Sequence, residues 1–452
     1  MAIEKKVQVI RRETIKPSSP TPHHLSAFKL SLLDQLAPDM NVPLILFYPL
    51  NDSNGVLHGL DRLLTFAEKT QHLKKTLSQT LNKFYPFAGR ITSRFASVIE
   101  CNDDGVEFLE AKIDCSMSNI FEKPDIWLLK QLVGVAEPEC QEAGVGHLLL
   151  VQATFFQCGG MAIGVSISHK VADAASLLTF LKSWCLHCCV ENDHEYHPEF
   201  GVASLLPPID LAIYSDPPIF KMFPGEKCIT SRFVFEAKNI DALQRRSASE
   251  TVKRPTRVEA VTALIWKSAM DAYMISSNKA TSLRRRPRVF AQAANIRPRT
   301  ANPLPENFVG NLMAGVSTML NNNESTDLQV LVAKLRASLE DFKKYFAKEL
   351  DVEEVKQAVE DICRIMKKDD EFEIFGCSSW CRFPFYDINF GWGKPAWATN
   401  SSLLVFKNSI VMMDTPDGGG IEVCLNLEEE AMALVESNQE LLAFAALNPS
   451  VF

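Results

Sequence analysis

"SISHKVADAAS", residues 166–176, joins a β-forming run to a helix-forming run, with a histidine and an aspartate at the junction. The preceding residues, 147–168, predict two strands around a glycine turn. The apolar spacing after Asp173 predicts a helix over about 174–188. We therefore expect His169 at the end of a strand, with Asp173 as the cap of the next helix.

Strand-forming and helix-forming runs alternate along the whole chain, which favours an α/β fold. A proline-rich segment without periodicity, residues 198–225, separates two such halves. At 452 residues the chain exceeds what one hydrophobic core usually organises. We predict an N-terminal domain over 1–197, a linker over 198–225 and a C-terminal domain over 226–452.

The composition is that of an ordinary soluble protein, with 46% hydrophobic and 23% charged residues. Lys and Arg total 47 against 55 for Asp and Glu, so the formal net charge is −8. This balance argues against nucleic-acid or anionic-membrane partners, because both favour basic patches. The start, MAIEKKVQVIRRETIK, lacks the apolar segment of a secretory signal. No apolar run approaches the roughly 18 residues of a spanning helix, so we expect a cytoplasmic protein without membrane contact.

One cluster of cysteines and histidines raises the alternative of a zinc site: Cys185, Cys188, His194 and His197. Their side chains are the right ligand types, but the gap between the two pairs is too short for a zinc finger. We expect the cysteines to finish a helix and the histidines to lie in a polar loop. The sequence therefore predicts no metal site.

His169 itself has two readings. A lone histidine at a strand end is more often structural than catalytic. The functional reading gains weight because a strand end is a usual place for a catalytic group. Asp173 can also hold the turn rigid by capping the helix. A third feature, SSWCRFPFYDINFGWGKP (378–395), lies far downstream.

Together these segments resemble the plant BAHD family of coenzyme A-dependent acyltransferases. The family carries His-x3-Asp, here His169 to Asp173, and Asp-Phe-Gly-Trp-Gly, here 389–393. The resemblance runs nearly end to end through IKPSSPTP, LSLLD, FYPFAGR, CNDDGVEF, FFQCGG, NFVGN and SSWCRFPFYD. It implies two similarly built α/β domains of the chloramphenicol acetyltransferase type, joined by a long crossover loop.

The resemblance also implies roles for particular residues. His169 would be the general base, and Trp380 and Ser378 would lie near the developing oxyanion; for Trp380 a buried aromatic packing role is an equal alternative. Asp173 would point away from His169 and pair with an arginine. Coenzyme A contacts would come largely from the second domain, at Thr256, Arg257, Gly310 and Asn311. The reaction would pass through a ternary complex without an acyl-enzyme.

One position departs from the family pattern, because Asn389 stands where the family has aspartate. That aspartate is regarded as structural, with Arg297 as its expected partner here. Gly391, Trp392 and Gly393 complete the motif and share the structural role. The departure leaves an alternative open: a non-catalytic member of the same fold that binds a ligand or a partner.

The resemblance favours the vinorine synthase-like branch of alkaloid O-acetyltransferases. It implies acetyl-CoA, or another acyl-CoA, as co-substrate and no permanently bound cofactor. The acceptor would be a small-molecule alcohol, a hydroxyl of a plant specialised metabolite, with an alkaloid favoured. Other members of this branch acylate terpenoids, sugars or amines, so the acceptor stays open. The implied state is a monomer.

Overall fold

In the part of the chain that the structure describes, the fold consists of three β-sheets and the helices packed on them. The structure is a computed structural model. It describes residues 6–50, 65–93, 96–134, 146–188, 196–210, 228–276, 286–348, 351–366, 371–400 and 406–451.

The first sheet has six strands, in the order β1 (Gln8–Ile15), β6 (Val106–Ile113), β8 (Leu149–Phe156), β9 (Met161–Ser168), β3 (Asn41–Tyr48) and β14 (Trp397–Thr399). Only β6 and β8 pair in parallel. Alternate residues of β3 face opposite cores, so Leu44 and Leu46 join one and Ile45 and Phe47 the other. Helices cover both faces, α2 (Phe66–Leu81) and α5 (Ala174–Cys188) on one side, α3 (Met117–Glu122) and α4 (Ile126–Gln131) on the other.

The second sheet has seven strands, in the order β12 (Met313–Leu320), β11 (Arg288–Asn295), β13 (Glu373–Ser379), β15 (Ser409–Asp414), β16 (Ile421–Glu428), β10 (Cys228–Phe235) and β17 (Ala446–Leu447). A large core lies between this sheet and α7 (Ala237–Ser247), α8 (Arg257–Ser276), α9 (Leu328–Phe346), α11 (Glu429–Glu436) and α12 (Gln439–Leu442). Buried aromatic residues such as Trp266 and Phe290 pack there, with ring centroids 5.1 Å apart. α10 (Val352–Met366) follows α9 in the chain.

A smaller sheet of four strands completes the fold, in the order β2 (Ala27–Lys29), β5 (Val98–Glu100), β4 (Arg90–Ile91) and β7 (Gly146–His147). Two short helices, α1 (Leu32–Leu36) and α6 (Val202–Leu205), pack together with β11, β12 and α9 in one further apolar cluster. This cluster joins the first half of the chain to the second.

Residues 380–399, assigned from the sequence to the second domain, pack on the first sheet. β14 pairs with β3, with Trp397 opposite Phe47, and the two rings stack at 5.1 Å. Phe390 and Trp392 are buried in the core that contains α2 and α5. The division at 197 and 226 therefore stays a prediction, and β14 of the second half joins the sheet of the first half across it.

The residues around His169 have the predicted secondary structure. β8 and β9 form the expected strand pair, β9 ends at Ser168, and α5 occupies Ala174–Cys188. The predicted linker is described only to residue 210, where Glu199 bridges Phe308 and Leu206 is buried; its remainder, 211–225, lies outside the described residues. Among the helices that the structure describes, none has the length and apolar character needed to cross a membrane.

Candidate active site

His169 follows the last residue of β9, in the position that the sequence predicts. Its backbone N–H donates to the carbonyl of Met40 at 2.8 Å, which continues the pairing of β9 with β3. The side chain is half-buried and forms part of the wall of a cavity. The strand therefore fixes the histidine backbone, while the ring faces a space that a substrate can enter.

Asn311 is the hydrogen-bond partner of the His169 ring. The Asn311 Oδ1 lies 2.9 Å from His169 Nδ1. The Asn311 Nδ2 donates to Asp34 Oδ1 at 2.8 Å and to the His169 carbonyl at 2.6 Å. Since a carboxylate and a carbonyl can only accept, the atom facing them must be the amide nitrogen. The amide oxygen then faces Nδ1, so the ring proton lies on Nδ1 and Nε2 is left as the basic nitrogen.

The surroundings of His169 favour the neutral form of its ring. Burial lowers the pKa of His169 below its ordinary value, because the imidazolium loses hydration. The charge of Asp173 and the hydrogen bond to Asn311 oppose this shift without reversing it. A neutral imidazole is the form that can accept a proton.

Asp173 caps α5, as expected, and the arginine with which it pairs is Arg297. Its Oδ1 accepts the backbone N–H of Ser176 at 2.9 Å. The two Arg297 terminal nitrogens donate to the two carboxylate oxygens of Asp173 at 2.7 and 3.1 Å. Asp173 Oδ2 also accepts the backbone N–H of Leu312 at 3.1 Å, and these bonds hold the pKa of Asp173 below its usual value although burial alone would raise it. Asp173 thus ties the loop after His169 to the second half of the chain.

The prediction that Asn389 contacts Arg297 is wrong. The five N–H groups of Arg297 face Asp173, Ser176 and Asn295 and the carbonyls of Phe308 and Gly310, so none remains for another partner. Asn389 Oδ1 instead accepts the backbone N–H groups of Gly391 and Gly393 at 2.9 and 3.0 Å.

Both glycines of this loop adopt positive φ, 105° and 104°, which an L side chain rarely tolerates. Gly391 and Gly393 are therefore required by the backbone of the loop that Asn389 closes. Trp392, between them, is buried, packs edge-on against His72 of α2 and stacks on Phe390. The motif is a packing unit of the first core, which agrees with the structural role implied by the resemblance.

Ser378 and Trp380 lie at the end of β13 and both line the cavity that contains His169. The Trp380 indole N–H donates to the Ser378 hydroxyl oxygen at 3.1 Å. Because this bond occupies the indole proton, the serine hydroxyl is the group left to donate into the cavity. Trp380 is also packed on Phe385 with its ring nearly buried, so it combines the packing and polar roles.

The cavity has a volume of about 540 Å³ and lies between the two halves of the chain. Apolar side chains of α1, β12, α9 and α10 form most of its wall, including Leu33, Leu36, Met313, Phe342, Phe346 and Val355. The polar groups at its wall include His169, Asn311 and Ser378. Such a space fits a ring-rich apolar molecule that presents one reacting group to the histidine.

The residues expected to contact coenzyme A have clear structural partners. Thr256 caps α8 in a reciprocal pair with Glu259, at 2.7 and 3.2 Å. Arg257 donates to the carbonyls of the 418–419 turn and to Asp414. Gly310, at φ 135°, donates to and accepts from the hydroxyl of Ser176. Contact of these residues with coenzyme A stays a prediction, as does that of Asn311.

The cysteine and histidine cluster has other partners. Cys185 Sγ donates to the Lys182 carbonyl at 3.2 Å, and Cys188 Sγ lies 3.1 Å from the Thr76 hydroxyl. His194 lies outside the described residues. Within the described ranges, no group of His, Cys, Asp and Glu side chains is arranged to hold a metal ion.

Two residues beside His169 were missed by the sequence reasoning. Asp34 contacts Asn311, although LSLLD was noticed only as a family segment. Lys170 is buried and donates to the carbonyls of Gln35 and Ala37 at 2.9 and 2.7 Å. It thereby fixes the segment after α1 that forms one wall of the cavity. In the sequence, the only signal for Lys170 was a lysine directly after the candidate histidine.

Comparisons with known proteins match this architecture over nearly the whole chain. A family model described as the Transferase family matches residues 5–442. The chain is 36% identical over 438 residues to stemmadenine O-acetyltransferase of Catharanthus roseus, covering 96% of each protein. It is 34% identical over 460 residues to limonoid 1-O-acetyltransferase of Citrus sinensis, covering 98% of this chain and 99% of the relative. The crystal structure of vinorine synthase superposes with a TM-score of 0.84 at 33% identity, covering 99% of this chain and 100% of that one.

Proposed function

The chain belongs to the BAHD acyltransferase family, and we propose that it transfers an acetyl group from acetyl-CoA to a hydroxyl of an alkaloid, with His169 as the general base. The observation that carries the proposal is the hydrogen bond of His169 Nδ1 to Asn311 in the wall of the cavity. The family uses an acyl-CoA co-substrate, and the acetyl donor and the acceptor are the finer part of the proposal.

The reaction begins with the hydroxyl of the acceptor. His169 Nε2 takes its proton while the oxygen attacks the thioester carbonyl. The tetrahedral intermediate then collapses and the C–S bond breaks. The departing coenzyme A thiolate receives the proton from Nε2. A thioester is already activated, so no protein nucleophile is needed and both substrates are bound together.

Ser378 supports this step because its hydroxyl donates a hydrogen bond to the negative oxygen of the intermediate. The Trp380 N–H, 3.1 Å from the Ser378 oxygen, polarises that hydroxyl and fixes its rotamer. Trp380 therefore acts through Ser378, rather than by direct contact with the developing oxyanion.

The acceptor is inferred from the cavity and from the relatives. The cavity has a volume of about 540 Å³ and a mostly apolar wall. It therefore suits a polycyclic molecule better than a sugar, whose hydroxyls would need several polar partners. Relatives at 34–36% identity are named for O-acetyl transfer to stemmadenine and to a limonoid. Both names support an acetyl donor and a hydroxyl acceptor, and we favour the alkaloid class within them.

The alternative of a non-catalytic member depended on Asn389 alone. Asn389 lies outside the residues that line the cavity and closes a backbone loop through Gly391 and Gly393. An amide oxygen serves that purpose, so the departure from aspartate gives no support to a loss of activity.

The proposal is tested with acetyl-CoA and a panel of alcohols that includes indole alkaloids, limonoids and simple sugars. Release of coenzyme A is measured with a thiol reagent, and products are identified by mass spectrometry. Acetylation of at least one alkaloid hydroxyl is expected. Turnover with a limonoid and with no alkaloid would show that the acceptor is a terpenoid and not an alkaloid. Coenzyme A binding without turnover on any member of the panel would favour the non-catalytic alternative.

We also propose that the enzyme acts as a cytoplasmic monomer without nucleic-acid or membrane partners. The acidic net charge of −8 supports the absence of a nucleic-acid partner. Size-exclusion chromatography with light scattering tests the monomer, because a dimer would double the mass of 50.5 kDa. A fluorescent fusion examined in plant cells tests the location.

A further inference from the structure

Asp34 is a buried carboxylate that the proposed reaction does not yet use. It lies in α1 and is only 2% exposed. Its Oδ2 accepts the backbone N–H and the hydroxyl of Ser31 at 2.9 and 2.6 Å, which completes a capping box. Its Oδ1 is not needed for that cap and accepts instead from the second half of the chain.

The Oδ1 atom of Asp34 is saturated by Asn311 alone. It accepts the Asn311 backbone N–H at 2.7 Å and the side-chain Nδ2 at 2.8 Å. Burial raises the pKa of Asp34, while these four hydrogen bonds favour its ionised form. A carboxylate so enclosed is held in one place, with a donor pair of Asn311 fixed against it.

The orientation of the Asn311 amide decides which nitrogen of His169 carries the proton. In the orientation seen, the amide oxygen accepts from Nδ1 and leaves Nε2 as the base. A flipped amide would present its NH₂ group to Nδ1, which would then have to accept, and the proton would move to Nε2. The flip would also place the amide oxygen against the Asp34 carboxylate and the His169 carbonyl, where no proton separates them.

We propose that Asp34 is a positioning residue that holds the Asn311 amide oxygen toward His169 and so keeps the histidine proton on Nδ1. Asp34 acts through Asn311 and has no contact with the substrate. Its catalytic consequence rests on the proposed function, because it matters for turnover only if Nε2 of His169 is the base. Its structural consequence, the tautomer of His169, is independent of that reaction.

The direct test measures the tautomer by NMR of protein labelled with ¹⁵N in its histidine rings, at a pH where the ring is neutral. The His169 signals are those lost in His169→Ala. Wild-type protein is expected to show the Nδ1–H form. Asp34→Ala is expected to gain an Nε2–H population. An Nε2–H ring in the wild type, or an unchanged Nδ1–H ring in Asp34→Ala, would overturn the proposal. The tautomer of the wild-type protein tests the proposal even if Asp34→Ala does not fold.

The kinetic test compares Asp34→Ala with Ser31→Ala. Both variants remove the α1 capping box, but only the first removes the partner of Asn311. Asp34→Ala is expected to lower kcat by about 10- to 100-fold, by analogy with the loss seen when the hydrogen-bond partner of a metal-ligating histidine is removed. The KM for acetyl-CoA should change little. Ser31→Ala should lower the Tm and leave kcat near the wild-type value. An equal loss of kcat in the two variants would mean that Asp34 serves only the helix.

The two proposals fail separately. If His169→Ala retained turnover, the role of His169 as base would be wrong, yet the NMR comparison would still decide whether Asp34 sets its tautomer. If the tautomer shifted in Asp34→Ala without a loss of kcat, the role of Asp34 in catalysis would be overturned. Its role in setting the His169 tautomer through Asn311 would be supported.

Discussion

The guanidinium of Arg297 donates hydrogen bonds to both carboxylate oxygens of Asp173, at 2.7 and 3.1 Å. The two side chains are 2% and 5% exposed, so the pair is buried. Asp173 begins the helix after His169, and Arg297 follows β11 of the second sheet. The ion pair therefore joins the two halves of the chain next to the cavity, and Asp173 serves the histidine by fixing the loop that follows it.

Loss of this ion pair should destabilise the protein. Arg297→Ala leaves a buried carboxylate without its counter-charge, which costs about 3–5 kcal/mol and should lower the Tm by roughly 5 °C or more. Glu340→Gln is the matched control, because it removes an exposed pair with Lys343 at 2.9 Å and should leave the Tm unchanged. Thermal melts of the three proteins decide the matter; equal Tm values for Arg297→Ala and wild type would show that the pair is dispensable.

The lowered pKa of His169 predicts the acid limit of activity. The base must be neutral, so kcat/KM falls as the pH drops through the pKa of the unliganded enzyme. Burial depresses that pKa, and the midpoint is therefore expected below the ordinary value of about 6.5. The profile is measured by coenzyme A release between pH 5 and pH 8 in buffers of constant ionic strength, with the substrate well below its KM. A midpoint above about 7 would contradict a desolvated neutral histidine.

Asn389 is expected to matter for stability and not for the chemistry. Asn389→Ala leaves the N–H groups of Gly391 and Gly393 without their acceptor, at about 1–3 kcal/mol in total, and should lower the Tm. Asn389→Asp keeps an acceptor oxygen for both groups and should stay close to the wild-type Tm. Turnover of both variants should remain within about threefold of wild type, which is under roughly 1 kcal/mol in the barrier. A tenfold change in kcat in either variant would place Asn389 in the catalytic machinery.

Gly376 offers a way to change the size of the cavity. It lies in β13, lines the cavity, and a Cβ built on it meets no atom within 4 Å. Its backbone is not at positive φ, so Gly376→Ala and Gly376→Val should fold without strain. We expect kcat/KM for a polycyclic acceptor to fall stepwise, by about 10-fold or more for valine, while a small alcohol is spared. An equal loss for small and large acceptors would place Gly376 beside the acyl donor.

The sequence predicts the secondary structure around His169 well, because two β-forming runs flank a glycine turn and the apolar spacing after Asp173 is helical. The α/β class and the two-domain arrangement are confirmed by the structure and by its likeness to vinorine synthase. The transfer of β14 to the first sheet was missed, since a strand of three residues carries no periodicity. Its pairing with β3 is also far from local in sequence.

The sequence singled out His169 as the candidate base, but it did not reveal the residues that surround it in the structure. Asn311 lies 142 residues from His169, and Asp34 lies 277 residues from Asn311. No local pattern reports such pairings, because they depend on how α1 and the segment before β12 pack together. For the same reason the sequence analysis expected Asn389 opposite Arg297 and left the arginine partner of Asp173 unnamed; the three-dimensional arrangement shows that Arg297 is that partner.

The central claim is that His169 is the base of the acyl transfer. The most direct measurement is the turnover of His169→Ala with acetyl-CoA and the best acceptor from the panel, beside His24→Ala, which alters an exposed histidine. Circular dichroism and coenzyme A binding establish that both variants are folded. The account predicts a kcat about 10²–10⁴-fold lower for His169→Ala and unchanged for His24→Ala. A folded His169→Ala enzyme with a kcat near that of wild type would contradict it.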